Sequence, residues 1–140
     1  MTKPEIAPMR VYVATAFKNI PEARAVIQLL RGVGHDITHD WTNETLEGIP
    51  AAQQSAYLDR CGASDYRGVM TADAVVLICH PDMRDARVEW GMALGRGIPS
   101  VVVYPDRLPS RSVFENMPGV RKVGSLPELL DALQILVARG

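Results

Sequence analysis

The sequence lacks the long apolar runs and the one-sided charge that mark proteins of membranes or nucleic acids. No stretch approaches the roughly 20 apolar residues that cross a bilayer, and the opening MTKPEIAPMR holds no apolar core of a secretory signal. The 15 basic and 16 acidic side chains, a formal net charge of -1, are mixed along the chain. We therefore expect a cytoplasmic protein that binds a small molecule, with no nucleic acid and no membrane as partner.

Cysteine and clustered metal ligands are also scarce. The two cysteines, Cys61 and Cys79, show no metal-ligand spacing, and we interpret both as reduced thiols. The three histidines, His35, His39 and His80, fall in separate predicted turns. We expect no metal site and no cofactor.

Two nucleotide-binding signatures are missing as well. The first predicted strand is not followed by G-x-G-x-x-G, and the chain contains no G-x-x-x-x-G-K-[ST]. The usual dinucleotide and triphosphate sites are therefore unsupported.

What the chain does contain is an alternation of apolar strands and amphipathic helices. With 140 residues, 47% of them hydrophobic, it is long enough for one compact domain, spanning 1–140. The runs VYVATAF, AVVLIC and SVVVY read as strands, and AVVLIC is apolar without alternation, as in a buried parallel strand. The order β-α-β-α-β-α-β-loop-β-α predicts an α/β three-layer sandwich, flavodoxin-like or Rossmann-like, with a mainly parallel five-stranded sheet.

The stretch DARVEWGMALGRGIPSVVV predicts a helix followed by a strand. We expect Gly91 and Gly95 to let this helix pack closely against the sheet. Glu89 stands near the helix start, where two interpretations are open. It is either a solvated first-turn acid that complements the helix dipole, or a group aimed into a crevice to do chemistry.

Ligands of open parallel sheets bind at the carboxyl ends of the strands, so the segments that follow the strands are the candidate site. Carboxylates and hydroxyls gather in and near these segments: Asp65, Asp82, Asp85 and Glu89, with Tyr12, Thr15, and Ser110 or Ser112. One carboxylate as nucleophile and another as proton donor is the arrangement that cleaves glycosidic bonds, with the two carboxyl groups about 5 to 5.5 Å apart in a double displacement.

The stretch DYRGVMTADAVVLI, followed by RVEWGMALGRGIPSVVV, resembles the nucleoside 2-deoxyribosyltransferase family, including its relatives that hydrolyse nucleoside 5'-monophosphates at the N-glycosidic bond. The opening VYVATAF and the late SVFENMPGVRKVGSLPELL match the family more loosely. The resemblance covers most of the chain, and its specific part is the central block.

The resemblance implies roles for individual residues. Glu89 matches the nucleophile that attacks the anomeric carbon, and Asp65 matches the acid that serves the leaving base, although it is alternatively a surface helix residue. Tyr12 corresponds to an aromatic that orients the nucleophile, or else simply packs in the sheet. Asp73 also lies in the pattern, but an acid directly before a buried strand is often only a strand-entry residue.

Candidate substrate contacts surround these three residues. The opening match adds Thr15 and Phe17. Transferases of the family tend to carry a second Asp six places before the nucleophile, where this chain has Met83, so Asp82 or Asp85 is the candidate substitute.

Arg84 and Arg87, with Ser110 or Ser112 across the crevice, are candidates for holding a 5'-phosphate. The alternative for the arginines is a solvated pair on the helix surface.

The sequence thus predicts an enzyme that transfers a deoxyribosyl group to another base or to water. The alternative is a module of the same fold that binds or senses a nucleotide derivative without turning it over. The resemblance also implies a homodimer or higher homo-oligomer whose neighbouring subunit helps close the pocket. Trp41, Tyr57 and Trp90 are apolar candidates for that contact, or equally for the core.

Overall fold

A computed structural model describes residues 7–105 and 112–139 as a five-stranded sheet with helices on both faces. The strands are β1 (Arg10–Ala14), β2 (Asp36–Ile37), β3 (Ala74–Ile78), β4 (Ser100–Val103) and β5 (Val120–Val123). Their order in the sheet is β2-β1-β3-β4-β5, and every neighbouring pair is parallel. This is the flavodoxin-like doubly wound order, with its switch point between β1 and β3, and it confirms the predicted fold class.

Three α-helices connect the first four strands in turn, and a fourth follows β5. They are α1 (Ile20–Gly32), α2 (Ala51–Met70), α3 (Asp85–Arg96) and α4 (Leu126–Arg139), and a short 3-10 helix, Phe17–Asn19, precedes α1. Within the described residues, no helix combines the length and the apolar character needed to cross a membrane.

Alternation along the strands divides the core between the two faces of the sheet. In β1, Val11 and Val13 join the core formed with α1 and α4, whereas Tyr12 and Ala14 join the core formed with α2 and α3. Successive strand side chains point to opposite faces, so Tyr12 necessarily faces α2 and α3. β3, between β1 and β4, is buried along its whole length.

The ends of the first and last helices agree with their sequence signals. Pro21 lies in the first turn of α1, and the helix ends at Gly32. Before α4, the Ser125 hydroxyl accepts the Glu128 amide at 3.3 Å, as in a capping box. The Glu128 carboxylate, however, accepts the amide of Gly124 at 3.0 Å instead of that of Ser125.

The expected role of Gly91 and Gly95 is wrong. A side chain added at either glycine would meet nothing within 4 Å. The buried residues of α3 are Ala86, Trp90 and Ala93, which share one helix face at spacings of four and three. The two glycines therefore lie off the packed face, and small alanines, not glycines, set the approach of α3 to the sheet.

Close approach of a helix to the sheet occurs instead at Gly68. A β-carbon there would lie 2.9 Å from the Tyr12 ring and 2.9 Å from the His39 β-carbon. Gly62 and Gly68 weaken the sequence signal for one helix, yet α2 is unbroken from Ala51 to Met70. Packing against Tyr12 thus explains one of these two glycines.

Both tryptophans belong to the core and not to an exposed face. Trp41 is 7% exposed and donates from its indole to the Val13 carbonyl at 2.7 Å. Trp90 is 3% exposed and donates to the Ser100 hydroxyl at 3.0 Å. The alternative that these two residues contact a second subunit is therefore wrong, because each indole is buried and its N–H donates a hydrogen bond inside the protein.

The segment after Trp41 is predicted from its polarity to be a mobile loop, and the structure shows that its beginning is anchored. Arg24 of α1 donates from Nη2 to the Thr42 carbonyl at 3.2 Å and to the Asn43 side chain at 3.0 Å. These contacts tie the start of the segment to α1.

Gly68→Ala should destabilise the protein by about 1 to 3 kcal/mol, because the added methyl group overpacks the contact with Tyr12 and His39. Gly62→Ala, on the same helix and facing open space, is the matched control and should be neutral or stabilising by up to about 1 kcal/mol. Urea denaturation of the two variants measures both free energies of unfolding. Equal stability of the two variants would contradict the close contact.

Candidate active site

The pair formed by the buried Tyr12 and the partly buried Glu89 lies at the interface of the sheet with α3. Tyr12, in the middle of β1, is 0% exposed, and its hydroxyl donates to Oε2 of Glu89. Helix α3 begins at Asp85, which is the acid of its first turn. Glu89 lies one turn further on, so the interpretation as a solvated first-turn acid is wrong.

Burial controls the ionisation of both members of this pair. It raises the pKa of Glu89 to about 7, the Tyr12 hydrogen bond works in the opposite direction, and the charges of Asp85 and Glu44 add to the increase. Burial, together with the charges of Glu89 and Asp65, raises the pKa of Tyr12 above its ordinary value. Tyr12 therefore stays a neutral phenol and a donor, and Glu89 loses its proton near neutral pH.

A second carboxyl group, Asp65 of α2, faces the same space. Burial, a hydrogen bond with Glu44 and the charges of Glu44, Glu89 and Asp85 raise the pKa of Asp65 to about 8. Its Oδ1 atom is buried without a hydrogen-bond donor. Among the described residues, the polar atom facing Oδ1 is Nε2 of His39, at 3.4 Å and without a hydrogen bond, so burial and the neighbouring acids favour the protonated form of Asp65.

Two residues that the predicted site omits, His39 and Glu44, complete this group of side chains. Nε2 of His39 lies 3.1 Å from Oε1 of Glu44 and 3.4 Å from Oδ1 of Asp65. The first contact has hydrogen-bond geometry, whereas the second leaves Oδ1 unbonded. Both atoms facing Nε2 are carboxyl oxygens, which favours the tautomer whose Nε2–H donates a hydrogen bond to Glu44.

His39, Glu44 and Asp65 also form the one group, among the described residues, whose ligand atoms lie close enough to hold a metal ion. The three atoms all lie within 4.8 Å of one another. One nitrogen with carboxylate oxygens is a donor set that transition metals accept. Within the cluster, His39 and Glu44 are hydrogen-bonded to each other, whereas Oδ1 of Asp65 has no hydrogen-bond partner.

Other predicted contacts lie at the carboxyl ends of the strands. The Thr15 hydroxyl is buried, donates to the Ile78 carbonyl at 2.7 Å and accepts from the Asn19 side chain at 3.1 Å. It thus bridges β1 and β3 at the switch point, with its donor committed to the backbone. Phe17 is 58% exposed beside it. Asp82 is exposed and pairs with Lys18 at 3.6 Å.

The charged residues at the start of α3 point mostly to solvent. Arg84 and Asp85 approach to 3.7 Å with side chains 90% and 85% exposed. Arg87 is exposed as well, although its charge acts on the buried Cys79 thiol at the end of β3. The Ser112 hydroxyl is half-buried and accepts the Phe114 amide at 3.2 Å, and Ser110 lies outside the described residues.

Asp73 and the edge of β2 stand apart from the carboxyl pair. Asp73 accepts the Arg10 amide at 2.8 Å at the entrance to β3, which agrees with the strand-entry interpretation. A shallow groove beside β2, lined by Arg10, Arg31 and residues 34–38, contains none of Tyr12, Asp65 and Glu89. It does not bring two carboxylates together.

No family model matches the chain, and no curated protein matches it in sequence. Among solved structures, its fold is similar to that of a 2-deoxyribosyltransferase from the psychrotolerant bacterium Bacillus psychrosaccharolyticus, with a TM-score of 0.59. The two are 16% identical, and the match covers 88% of this chain and 90% of the other. The comparison shows that the chain has the fold of a 2-deoxyribosyltransferase.

Because the pKa values of Asp65 and Glu89 are raised, these two groups make the folded state less stable as pH rises. Asp65 and Glu89 titrate at about 8 and about 7 in the folded protein, against 3.8 and 4.5 for unperturbed groups. The folded state binds more protons than the unfolded state in this window, so the contribution of both groups falls as pH rises from about 4 to 8. Below the window the two states are equally protonated.

Asp65→Asn should therefore lose less stability than the wild type between pH 5 and pH 9, as measured by urea denaturation across this range. Asp59→Asn, a change of the same kind at an exposed position of α2, is the matched control and should follow the wild type. An Asp65→Asn curve parallel to the wild type would show that Asp65 is not held in its protonated form.

Proposed function

We propose that this protein cleaves the N-glycosidic bond of a nucleoside or nucleoside 5'-monophosphate, transferring the deoxyribosyl group to another base or to water. The observation that carries the proposal is the unequal treatment of two neighbouring carboxyl groups. Glu89 receives a hydrogen bond from Tyr12, whereas Oδ1 of Asp65 has no donor. Environments that separate two carboxyl groups in this way divide them into a base or nucleophile and an acid.

In the proposed reaction, Glu89 attacks the anomeric carbon and Asp65 gives its proton to the departing base. Tyr12 holds Oε2 of Glu89, which leaves Oε1 to form the new C–O bond. The electrons of the broken C–N bond go to the base nitrogen, which takes the Asp65 proton. The product of this step is a glycosyl ester of Glu89, and water or a second base then attacks it while Asp65 accepts a proton.

The order of the two ionisations suits this division of labour. The pKa of Glu89, about 7, lies below that of Asp65, about 8. Between these values Glu89 is ionised and nucleophilic while Asp65 still carries its proton. The reactive form of the enzyme is therefore most abundant slightly above neutral pH.

The fold likeness supports the same class of substrate. The similar structure is a 2-deoxyribosyltransferase whose described use is the synthesis of nucleosides. The central block around Glu89 resembles that family in residue pattern. Residues and fold therefore point in the same direction, toward glycosyl transfer at a nucleoside.

The proposed substrate contacts lie around this pair. Asp82 and Asp85 are proposed to bind sugar hydroxyls, and the latter is close enough for its charge to act on Glu89 and Asp65. Thr15 and Phe17, at the end of β1, are proposed to border the substrate.

A phosphate contact is proposed at the amino-terminal end of α3. Arg84 and Arg87 are exposed there, and the end of a helix dipole favours an anion. Ser110 and Ser112 are the proposed partners across the crevice. Because of this phosphate contact, we expect a nucleoside monophosphate to be cleaved with a lower KM than the free nucleoside.

Glu89→Gln and Glu89→Ala should lose turnover by on the order of 10⁴-fold or more while still binding substrate, because a nucleophile acts chiefly in the reaction and less in ground-state binding. The assay is chromatography of bases released from a panel of nucleosides and nucleoside monophosphates, with and without a second free base. Release without an acceptor identifies a hydrolase, and exchange that requires one identifies a transferase.

Glu22→Gln is the matched control, since Glu22 is an exposed acid in the first turn of α1, and it should keep full activity. Retained turnover in both Glu89 variants would show that the nucleophile is misassigned. A wild-type protein that binds members of the panel and cleaves none of them would favour the sensing module.

A homodimer or higher homo-oligomer, in which a second subunit helps close the site, is proposed with this function. Apolar side chains of α2 and α3 reach the surface, with Leu58 52%, Tyr66 53% and Val88 61% exposed. Light scattering after size-exclusion chromatography should give at least twice the monomer mass of 15.3 kDa. A monomer that is fully active would rule out a shared site.

A further inference from the structure

The segment after β2 brings two titratable side chains to Asp65. His39 and Glu44 both follow the short edge strand β2, and neither is part of the carboxyl pair that carries the proposed function. Their side chains are partly exposed, 27% for His39 and 19% for Glu44. Both therefore border the space in which Asp65 lies and remain within reach of solvent.

Glu44 makes the contact that distinguishes Asp65 from an ordinary surface acid. Oxygen atoms of the two carboxyl groups lie within 4.8 Å of each other, and a hydrogen bond between the groups requires that one of them carry a proton. Two carboxylates in contact do not both ionise at neutral pH, because their charges repel at short range. The pair therefore holds a shared proton.

His39 determines which member of the pair carries that proton. Its Nε2–H donates to Oε1 of Glu44 at 3.1 Å and makes no hydrogen bond to Asp65. A donor stabilises the charged form of the carboxylate that accepts from it. The contact with His39 therefore favours the proton on Asp65, whose pKa is raised by burial and by the neighbouring Glu44.

We propose that Glu44, held by His39, keeps the proton on Asp65 for delivery to the departing base. This inference rests on the proposed function. Glu44 and His39 are positioning residues and do not touch the reacting atoms. In the first step the proton moves from the Asp65 carboxyl group to the base nitrogen as the C–N bond breaks, and it is replaced from water or from the incoming base in the second step.

Other groups also act on Asp65, and the test must separate them from Glu44. The titratable side chains around it are Tyr12 of β1, Cys61 of α2, and Asp85 and Glu89 of α3, besides His39 and Glu44. Of these, Glu44 provides the hydrogen bond as well as a charge. Glu44→Gln removes the charge and the shared proton while it preserves the size of the side chain.

In Glu44→Gln, the basic limb of the kcat/KM profile against pH should move at least about one unit lower, since Asp65 then loses its proton earlier. On that limb kcat/KM falls about tenfold, through kcat and with little change in KM, and activity at pH 5 is retained. Glu47→Gln, an exposed acid of the same segment, is the matched control and should leave the profile unchanged.

A substrate whose base leaves without a proton provides a second test. An N7-alkylated adenine nucleoside has no acidic ring N–H, so it stays positively charged on the basic limb and releases a neutral base. Its cleavage at pH 9 should fall less than twofold in Glu44→Gln, while it still requires Glu89. An equal loss for both substrates would mean that Glu44 acts on something other than proton delivery, and would overturn the proposal.

His39 variants test which contact of the histidine matters. His39→Ala should move the basic limb to lower pH, as Glu44→Gln does, if the histidine acts through Glu44. His39→Gln keeps an amide donor near the same place and should restore the wild-type profile. Movement of the limb to higher pH in His39→Ala would show that His39 acts on Asp65 directly, against the proposal.

A titration that needs no turnover separates this inference from the proposed function. Carbon-13 NMR of the side-chain carboxyl groups should show the Asp65 titration at lower pH in Glu44→Gln than in the wild type. An unchanged Asp65 titration overturns the proposal even in an active enzyme. If wild-type activity is lost on chelation and restored by Zn²⁺, the three residues bind a cation, and the proposal is equally wrong.

Discussion

The hydrogen bond from Tyr12 to Glu89 is the interaction on which the site depends, because it joins the sheet to α3 inside the protein. The phenol reaches Glu89 only because period-2 alternation places Tyr12 on the α2–α3 face. Gly68 leaves room for its ring, and small Ala86 and Ala93 on the buried face of α3 let the helix approach. Packing and chemistry therefore share the same few contacts.

This arrangement places three acidic side chains close together in a partly buried space, which is electrostatically unfavourable. Glu44, Asp65 and Glu89 act on one another electrostatically, and three carboxylates without nearby cations would repel strongly. The Tyr12 phenol beside Glu89 and the His39 imidazole beside Glu44 reduce the repulsion. Burial first, and the neighbouring charges second, raise the pKa of both Asp65 and Glu89, as is typical of functional sites.

Sequence patterns predict the fold well because the spacing of apolar residues within each strand and helix is a local signal. The apolar run of β3 and the alternating helices suffice to predict a mainly parallel five-stranded sheet, whereas the strand order, which separates the flavodoxin-like from the Rossmann-like arrangement, is visible only in the structure. The packed face of α3 is harder to predict, since Gly91 and Gly95 suggest close approach, whereas the buried stripe runs through Ala86, Trp90 and Ala93. A glycine signals conformational freedom or close approach, and only the neighbouring element decides which one applies.

The site is predicted only in part, because a local residue pattern is visible in the sequence and a contact between distant elements is not. Glu89, Asp65 and Tyr12 stand in a residue pattern, and the structure brings them together, although their roles stay proposals. His39 and Glu44 belong to no recognisable sequence motif. Their importance arises from contacts with α2, a helix that begins several residues later in the chain. The one local signal for them is the presence of titratable side chains directly after β2, in a segment where a parallel sheet places ligand contacts.

The division between rigid elements and this segment has a chemical consequence. Tyr12, Asp65 and Glu89 stand on a strand and two helices, so packing fixes their relative positions. His39 and Glu44 stand instead between β2 and α2, in a segment tied to α1 through Arg24. Such a segment tolerates substitution more readily than a core element does. Substitution among the residues after β2 can therefore alter the surroundings of Asp65 while the contact between Tyr12 and Glu89 is kept.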